Sequence, residues 1–130
     1  FFIDCYNANP ESMKAAILAF GQMKKNKRLK IAVLGDMLEL GQREVFWHRR
    51  IGRILQKVSD LDYLILVGQR ARQIAKTAPV VLKTECVKNW KEAKNKLLDL
   101  LKSKAKKESL ILFKASHGVG LGNIVKELSI

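Results

Sequence analysis

Short unbroken apolar runs, each closed by a turn residue and followed by a helix-patterned stretch, constrain this chain more than any other feature. Ile31-Ala32-Val33-Leu34 runs into Gly35, Leu64-Ile65-Leu66-Val67 into Gly68, and Leu110-Ile111-Leu112-Phe113 into Lys114-Ala115-Ser116. Apolar runs without polar alternation mark strands covered on both faces, as in parallel sheets. Phe1-Phe2-Ile3 and Val80-Val81-Leu82 read as two further short strands. Between the strands the apolar spacing changes to i, i+3, i+4, i+7. Met13, Ala16, Ile17 and Phe20 mark a first helix face. Trp47, Ile51, Ile54, Leu55 and Val58 mark a second, over residues 43–58. Ala71, Ile74 and Ala75 form a short third, ended by Pro79. Trp90, Ala93, Leu97 and Leu101 mark a fourth over residues 88–102, and Leu121, Ile124, Val125 and Leu128 a fifth. This strict β-α alternation predicts one α/β domain over residues 1–130: a three-layer, doubly wound, mainly parallel sheet of Rossmann-like type. Right-handed crossovers then bring the carboxyl end of every strand to one edge, where ligands bind in open α/β sheets.

At 130 residues, 48% of them apolar, the chain can bury one core and is too apolar for disorder. No run approaches the ~20 apolar residues of a membrane-spanning helix, and a polar motif from Asp4 onward is not that of a secretory leader. The chain opens on Phe1, directly in a strand-like run, so a fragment of a longer protein cut at a domain boundary is expected. The formal net charge is +13. Such a charge suits a nucleic-acid-binding module, solvated helix faces and C-terminal turns, or attraction of an anionic ligand such as a nucleotide. The clusters Lys24, Lys25, Lys27, Arg28 and Lys102, Lys104, Lys106, Lys107 follow helix-patterned stretches, which favours the second. Cys5 and Cys86 form no C-x-x-C pair, so a reduced cytoplasmic protein with neither metal nor redox site is expected.

Three strand ends carry unusual polar content. The first, Asp4-Cys5-Tyr6-Asn7-Ala8-Asn9-Pro10, leads into a helix: Pro10 suits the first helical position and Asn9 the N-cap. Capping accounts for those two residues but leaves Asp4, Tyr6 and Asn7 without a role. The second is the loop from Gly35 to Gly41, with Asp36 and Glu39; the third runs from Lys114 to Gly120, with Ser116 and His117. Glycines at 118, 120 and 122 suggest a dinucleotide fingerprint, but that belongs after the first strand of a βαβ unit, with an acidic residue about 20 positions on. A turn into the last helix explains them better. No Gly-x-x-x-x-Gly-Lys-Ser/Thr phosphate loop occurs. Ser116, His117, His48 and Asp36 could form a hydrolase triad, but the nucleophile elbow is absent. Trp47 and Trp90 fall on apolar helix faces, so the aromatic platform of a nucleic-acid module is missing.

The Asp4–Pro10 motif, Val33-Leu34-Gly35-Asp36-Met37-Leu38-Glu39-Leu40-Gly41, then His48 and Gly52, and Lys114-Ala115-Ser116-His117-Gly118 together resemble the C-terminal domain of the Mur ligases. Within that family they are most similar to members that add D-alanyl-D-alanine to UDP-N-acetylmuramoyl-tripeptide. The resemblance covers essentially the whole chain. Cys5 stands where Ser is usual and His117 where Arg is common. The resemblance implies an ATP-dependent amide ligase of cell-wall synthesis with three domains. The first binds the UDP-sugar peptide, the central one holds the phosphate loop, Mg²⁺ ligands and a modified lysine, and the third closes over the cleft. The substrate carboxylate becomes an acyl phosphate, which the dipeptide amine attacks. The resemblance places Asp4, Tyr6, Asn7 and Asn9 on the ATP nucleoside and Gly35, Asp36, Ser116 and His117 on the dipeptide. His48, Arg70 and Arg72 are secondary candidates, the arginines for a carboxylate. No catalytic residue or metal ligand is implied here, so the isolated chain is expected to be inactive. A basic nucleic-acid-binding module and another Mur-type amide ligase are the alternatives.

Overall fold

The computed structural model describes residues 2–4, 7–103 and 108–128, the first three by their backbone alone. Strands β1 (Phe2–Asp4), β2 (Leu29–Gly35), β3 (Tyr63–Val67), β4 (Lys83–Val87) and β5 (Ser109–Lys114) alternate with helices α1 (Pro10–Gln22), α2 (Glu44–Leu55), α3 (Arg72–Ala75), α4 (Trp90–Ser103) and α5 (Leu121–Leu128). The strands form one sheet in the order β1-β5-β2-β3-β4, and every neighbouring pair is parallel. The doubly wound α/β reading therefore holds.

Every residue of β2 is buried, because alternate side chains serve opposite faces. Ala32 and Leu34 join Met13, Ile17, Phe20, Ile51, Leu55, Leu64 and Ile74 under α1, α2 and α3. Ile31 and Val33 join Ile65, Val67, Ala93, Leu97, Phe113 and Ile124 under α4 and α5. Each buried Ile, Leu or Phe contributes about 1.5–3 kcal/mol, so the three central strands anchor both cores.

The helix faces follow from the order of strand insertion. The steps β1 to β2, β2 to β3 and β3 to β4 all run one way, with α1, α2 and α3 on one face. The chain then returns across the sheet through α4 on the other face, inserts β5 between β1 and β2, and leaves through α5. The helices after β1 and β2 thus depart on the opposite side from the helix after β5, the arrangement that places the ligand crevice of doubly wound sheets at the carboxyl end of β5.

Local signals work as read at α1. Asn9 Oδ1 accepts the Ser12 N–H at 2.9 Å and Ser12 Oγ accepts the Asn9 N–H at 3.0 Å, a reciprocal cap. Arg28 donates to the carbonyls of Lys24 and Lys25, and Lys30 to that of Met23, so cations behind α1 are used on backbone carbonyls.

Several expectations need correction. The fourth strand lies at Lys83–Val87, and Val80 and Val81 are 101% and 94% exposed in the preceding turn. As an edge strand, β4 shows the polar Lys83, Thr84, Glu85 and Cys86 instead of an apolar run. The second helix is preceded by a 3₁₀ turn at Gly41–Arg43 and ends at Leu55, with Val58 still buried in the turn beyond. The fourth starts at Trp90, where Asn89 Oδ1 accepts the Glu92 N–H at 3.0 Å, and Trp90 and Leu101 are half-buried. The third ends at Ala75, before Pro79. Phe1, Cys5 and the cationic stretch Lys104–Lys107 lie outside the described residues.

Candidate functional site

Lys114 closes β5 in register with Asp4 of β1 and Leu34 of β2, so three loops leave the sheet side by side. They are joined by hydrogen bonds. Lys114 Nζ donates to the Asn7 carbonyl at 2.6 Å. The Ser116 N–H donates to the Asp36 carbonyl at 3.0 Å. Ser116 Oγ accepts the Leu38 N–H at 2.8 Å and donates to the Ala8 carbonyl at 3.4 Å. Gly35 permits this approach: a Cβ there would lie 2.7 Å from that of Ala115 and 2.9 Å from Val119 Cγ1.

Asp36 is buried and turns its carboxylate toward the loop after β3. Oδ1 accepts the Ala71 N–H at 2.7 Å and Oδ2 the Arg70 Nη1–H at 3.4 Å. Gly68, at φ +106°, lies so close that a Cβ would be 2.5 Å from that carboxylate. Arg70 also donates through Nε to Glu44 Oε2 at 2.8 Å. That hydrogen bond and the charge of Glu44, with a smaller contribution from Asp36, raise the guanidinium pKa above its ordinary value. Arg70 is thus a permanent cation bracing α2 against the β3 loop.

His48 lies in the core. Its Nδ1–H donates to the Glu44 carbonyl at 2.6 Å, leaving Nε2 to accept the Met37 N–H at 3.0 Å. Only the neutral Nδ1–H tautomer does both. Its place is therefore to fix the loop after β2 from beneath.

The structure thus gathers Asn7, Gly35, Asp36 and Ser116 around one crevice and supports them with His48. Asn7 and His117 are exposed at its rim. Asn7 Oδ1 accepts the neighbouring Ala8 N–H, and Asn9 Oδ1 is occupied by the helix cap. Arg72 stands apart, lining with Gly68, Gln69 and Lys88 a cleft of about 380 Å³ beyond β3 and β4. Tyr6 and the side chain of Asp4 lie outside the described residues. The glycines at 118–122 form a 3₁₀ turn and the start of α5, far along the chain from the first strand. Ser116 Oγ bonds backbone groups and no imidazole, so the hydrolase triad does not assemble. Among the described residues no group of three His, Cys, Asp or Glu is placed to hold a metal ion. No described helix is long and apolar enough to cross a membrane. Residue typing missed Lys114; its one signal is a lysine closing an apolar strand directly before a polar loop.

Residues 1–117 match the family model described as Mur ligase, glutamate ligase domain. The chain is 40% identical over 125 residues to the UDP-N-acetylmuramoyl-tripeptide–D-alanyl-D-alanine ligase of Bacillus subtilis, covering 96% of this chain and 27% of that protein. It is 33% identical over 141 residues to the Mycobacterium leprae protein of the same name, covering 96% and 26%. It is similar in structure to MurF from Acinetobacter baumannii, with TM-score 0.82, 30% identity and coverage of 96% and 26%. The MurF ligase of Thermotoga maritima in complex with ADP gives TM-score 0.70, 25% identity and coverage of 95% and 27%. The chain spans about a quarter of the length of the curated relatives it matches.

Proposed function

The chain belongs to the Mur ligase family, through its glutamate ligase domain, and on that premise we propose that it is the C-terminal domain of the ATP-dependent ligase joining D-alanyl-D-alanine to UDP-N-acetylmuramoyl-tripeptide in peptidoglycan synthesis. The observation that supports this reading most is the meeting of three loops at the carboxyl end of β5. There the loops after β1, β5 and β2 share one hydrogen-bonded rim.

In this reading the tripeptide carboxylate takes the γ-phosphoryl group of ATP, and the dipeptide amine then displaces phosphate. The chain has no phosphate loop, and its described carboxylates do not group for Mg²⁺. ATP phosphates and Mg²⁺ are then held by a central domain elsewhere in the protein. This domain's share is positioning, which alone lowers a barrier strongly when two reactants must meet. Asp4, Tyr6, Asn7 and Asn9 serve the nucleoside of ATP; Gly35, Asp36, Ser116 and His117 serve the dipeptide. Within the second set, Gly35 allows close backbone approach, Asp36 and Ser116 shape the rim from inside, and His117 reaches outward. Arg72, beside Lys88, is available to a carboxylate. The domain works in the cytoplasm, closing over the amino-terminal and central domains of the same protein.

The test is phosphate release by the full-length protein. It should require ATP, the UDP-linked tripeptide and D-alanyl-D-alanine together, while the isolated 130-residue chain releases none. Equal release with a single amino acid in place of the dipeptide would assign the chain to another amide ligase of the family.

A further inference from the structure

Among the described residues two lysines are fully buried, Lys30 at 0% and Lys114 at 1% exposure. Lys30 is accounted for by its neighbours, since Nζ meets Asp60 Oδ1 at 3.0 Å and the Met23 carbonyl at 2.9 Å. Lys114 lies at the opposite end of the sheet and donates to a carbonyl 107 residues away in sequence.

We propose that Lys114 is a positioning residue for the ligand crevice. Its buried ammonium sets the backbone of Asn7 and Ala8, and Ser116 carries the same constraint across to Leu38. The proposal rests on the ligase reading above for its ligands, though not for its geometry. Three observations carry it. First, the ammonium is too deeply buried to touch a ligand itself, and a methionine would fill a packing slot without desolvating a charge. Second, among the described residues the Asn7 side-chain oxygen reaches only the adjacent Ala8 N–H. Among the described residues, the hydrogen bonds tying residues 7 and 8 to the sheet come from Lys114 Nζ and Ser116 Oγ. Third, Ser116 Oγ also accepts the Leu38 N–H, so one hydroxyl touches both the nucleotide-side and the dipeptide-side loop. Removing the ammonium should therefore disturb one loop, and removing the hydroxyl both.

The experiment uses the full-length protein with Lys114→Met, Ser116→Ala and the control Lys30→Met. Lys114→Met should raise KM for ATP about ten-fold while kcat and the dipeptide KM stay within about two-fold, a split that general loosening would not give. Ser116→Ala should raise both KM values. Lys30→Met should lower the melting temperature and leave both KM values alone. An ATP KM within two-fold of wild type in folded Lys114→Met overturns the proposal, as does a parallel fall in kcat and rise in both KM values. If Lys114→Met does not fold, Ser116→Ala decides: a rise in only one KM, or in neither, overturns it. If the wild-type protein makes no amide from D-alanyl-D-alanine, the ligase reading fails. Amide hydrogen exchange then tests the positioning claim alone. Exchange at Ala8 in Lys114→Met, and at Leu38 in Ser116→Ala, should be at least about ten-fold faster than in wild type; unchanged exchange at both overturns it.

Discussion

The two edges of the sheet treat a buried lysine in opposite ways. At the amino edge Lys30 belongs to a closed charge network: its ammonium meets Asp60, its N–H donates to Asp62 at 2.9 Å, and Asp62 pairs with Lys25 at 2.8 Å. Helix carbonyls take the remaining donor capacity. At the carboxyl edge Arg70 pairs with Asp36 and Glu44, and the polar side chains also bond loop backbone: Lys114 to Asn7, Ser116 to Ala8 and Leu38, Asp36 to Ala71, His48 to Met37. The first arrangement holds elements together. The second holds loops in shape while Asn7, Glu39 and His117 stay open to solvent. Both are buried polar networks, and only their partners distinguish a structural one from one built to present a surface.

That contrast can be broken by mutation. The largest effect on stability is expected at the amino edge. Asp60→Ala strands the Lys30 cation and should cost about 2–3 kcal/mol in urea denaturation. This is below the 3–5 kcal/mol of a fully buried pair, because the Asp60 side chain is 35% exposed. Neither KM of the full-length protein, assayed for the proposed ligation, should move; a shift in either would erase the distinction between the edges. At the carboxyl edge, Gly68→Ala forces a side chain into left-handed backbone and against Asp36. It should cost about 1–3 kcal/mol of strain and, unlike Asp60→Ala, also raise the dipeptide KM. Smaller still, if Asp4 serves the nucleoside as proposed, Asp4→Ala would remove a charge-assisted contact to a ribose hydroxyl. It should raise KM for ATP by about ten-fold, since about 1.4 kcal/mol is a factor of ten, with the melting temperature held. If it lowers the melting temperature alone, the first loop is structural. The smallest change is expected for Arg70→Ala, whose guanidinium is 43% exposed, whose closer pair is with the partly exposed Glu44, and whose loss leaves the buried Asp36 still bonded to the Ala71 N–H. It should cost less than about 1 kcal/mol, and less again in high salt; a larger loss would make Arg70 part of a network rather than a brace.

The parts of the fold legible in the sequence were those covered on both sides. β2, β3 and β5 announce themselves as apolar runs because helices pack on each face. β4 does not, because Val87 alone among its five residues is buried, and the apolar signal falls on Val80 and Val81, which point into solvent. At the crevice, the polar content of three strand ends was visible, as was the Asn9 cap, which depends on neighbours three residues away. The direction in which each polar group turns was not. Asp36 meets Ala71 across 35 residues and Leu38 meets Ser116 across 78. No local spacing encodes such contacts. A carboxylate that shapes a loop and one that faces a ligand look alike until the chain is folded.

The place of β5 also bears on how the molecule is made. Among the described residues β1 pairs with β5 alone, and its Phe2 lies opposite Leu112. On the ribosome, β2, β3 and β4 can pair as they emerge, whereas the first strand must wait until synthesis has passed Lys114. Pairings of such long sequence separation form late and slowly. Until β5 is made, one flank of β2 and the whole of β1 lack their strand partner, the kind of surface that chaperones cover. The crevice is the last part of the domain to exist, and a polypeptide stopped before Ser109 would lack it entirely.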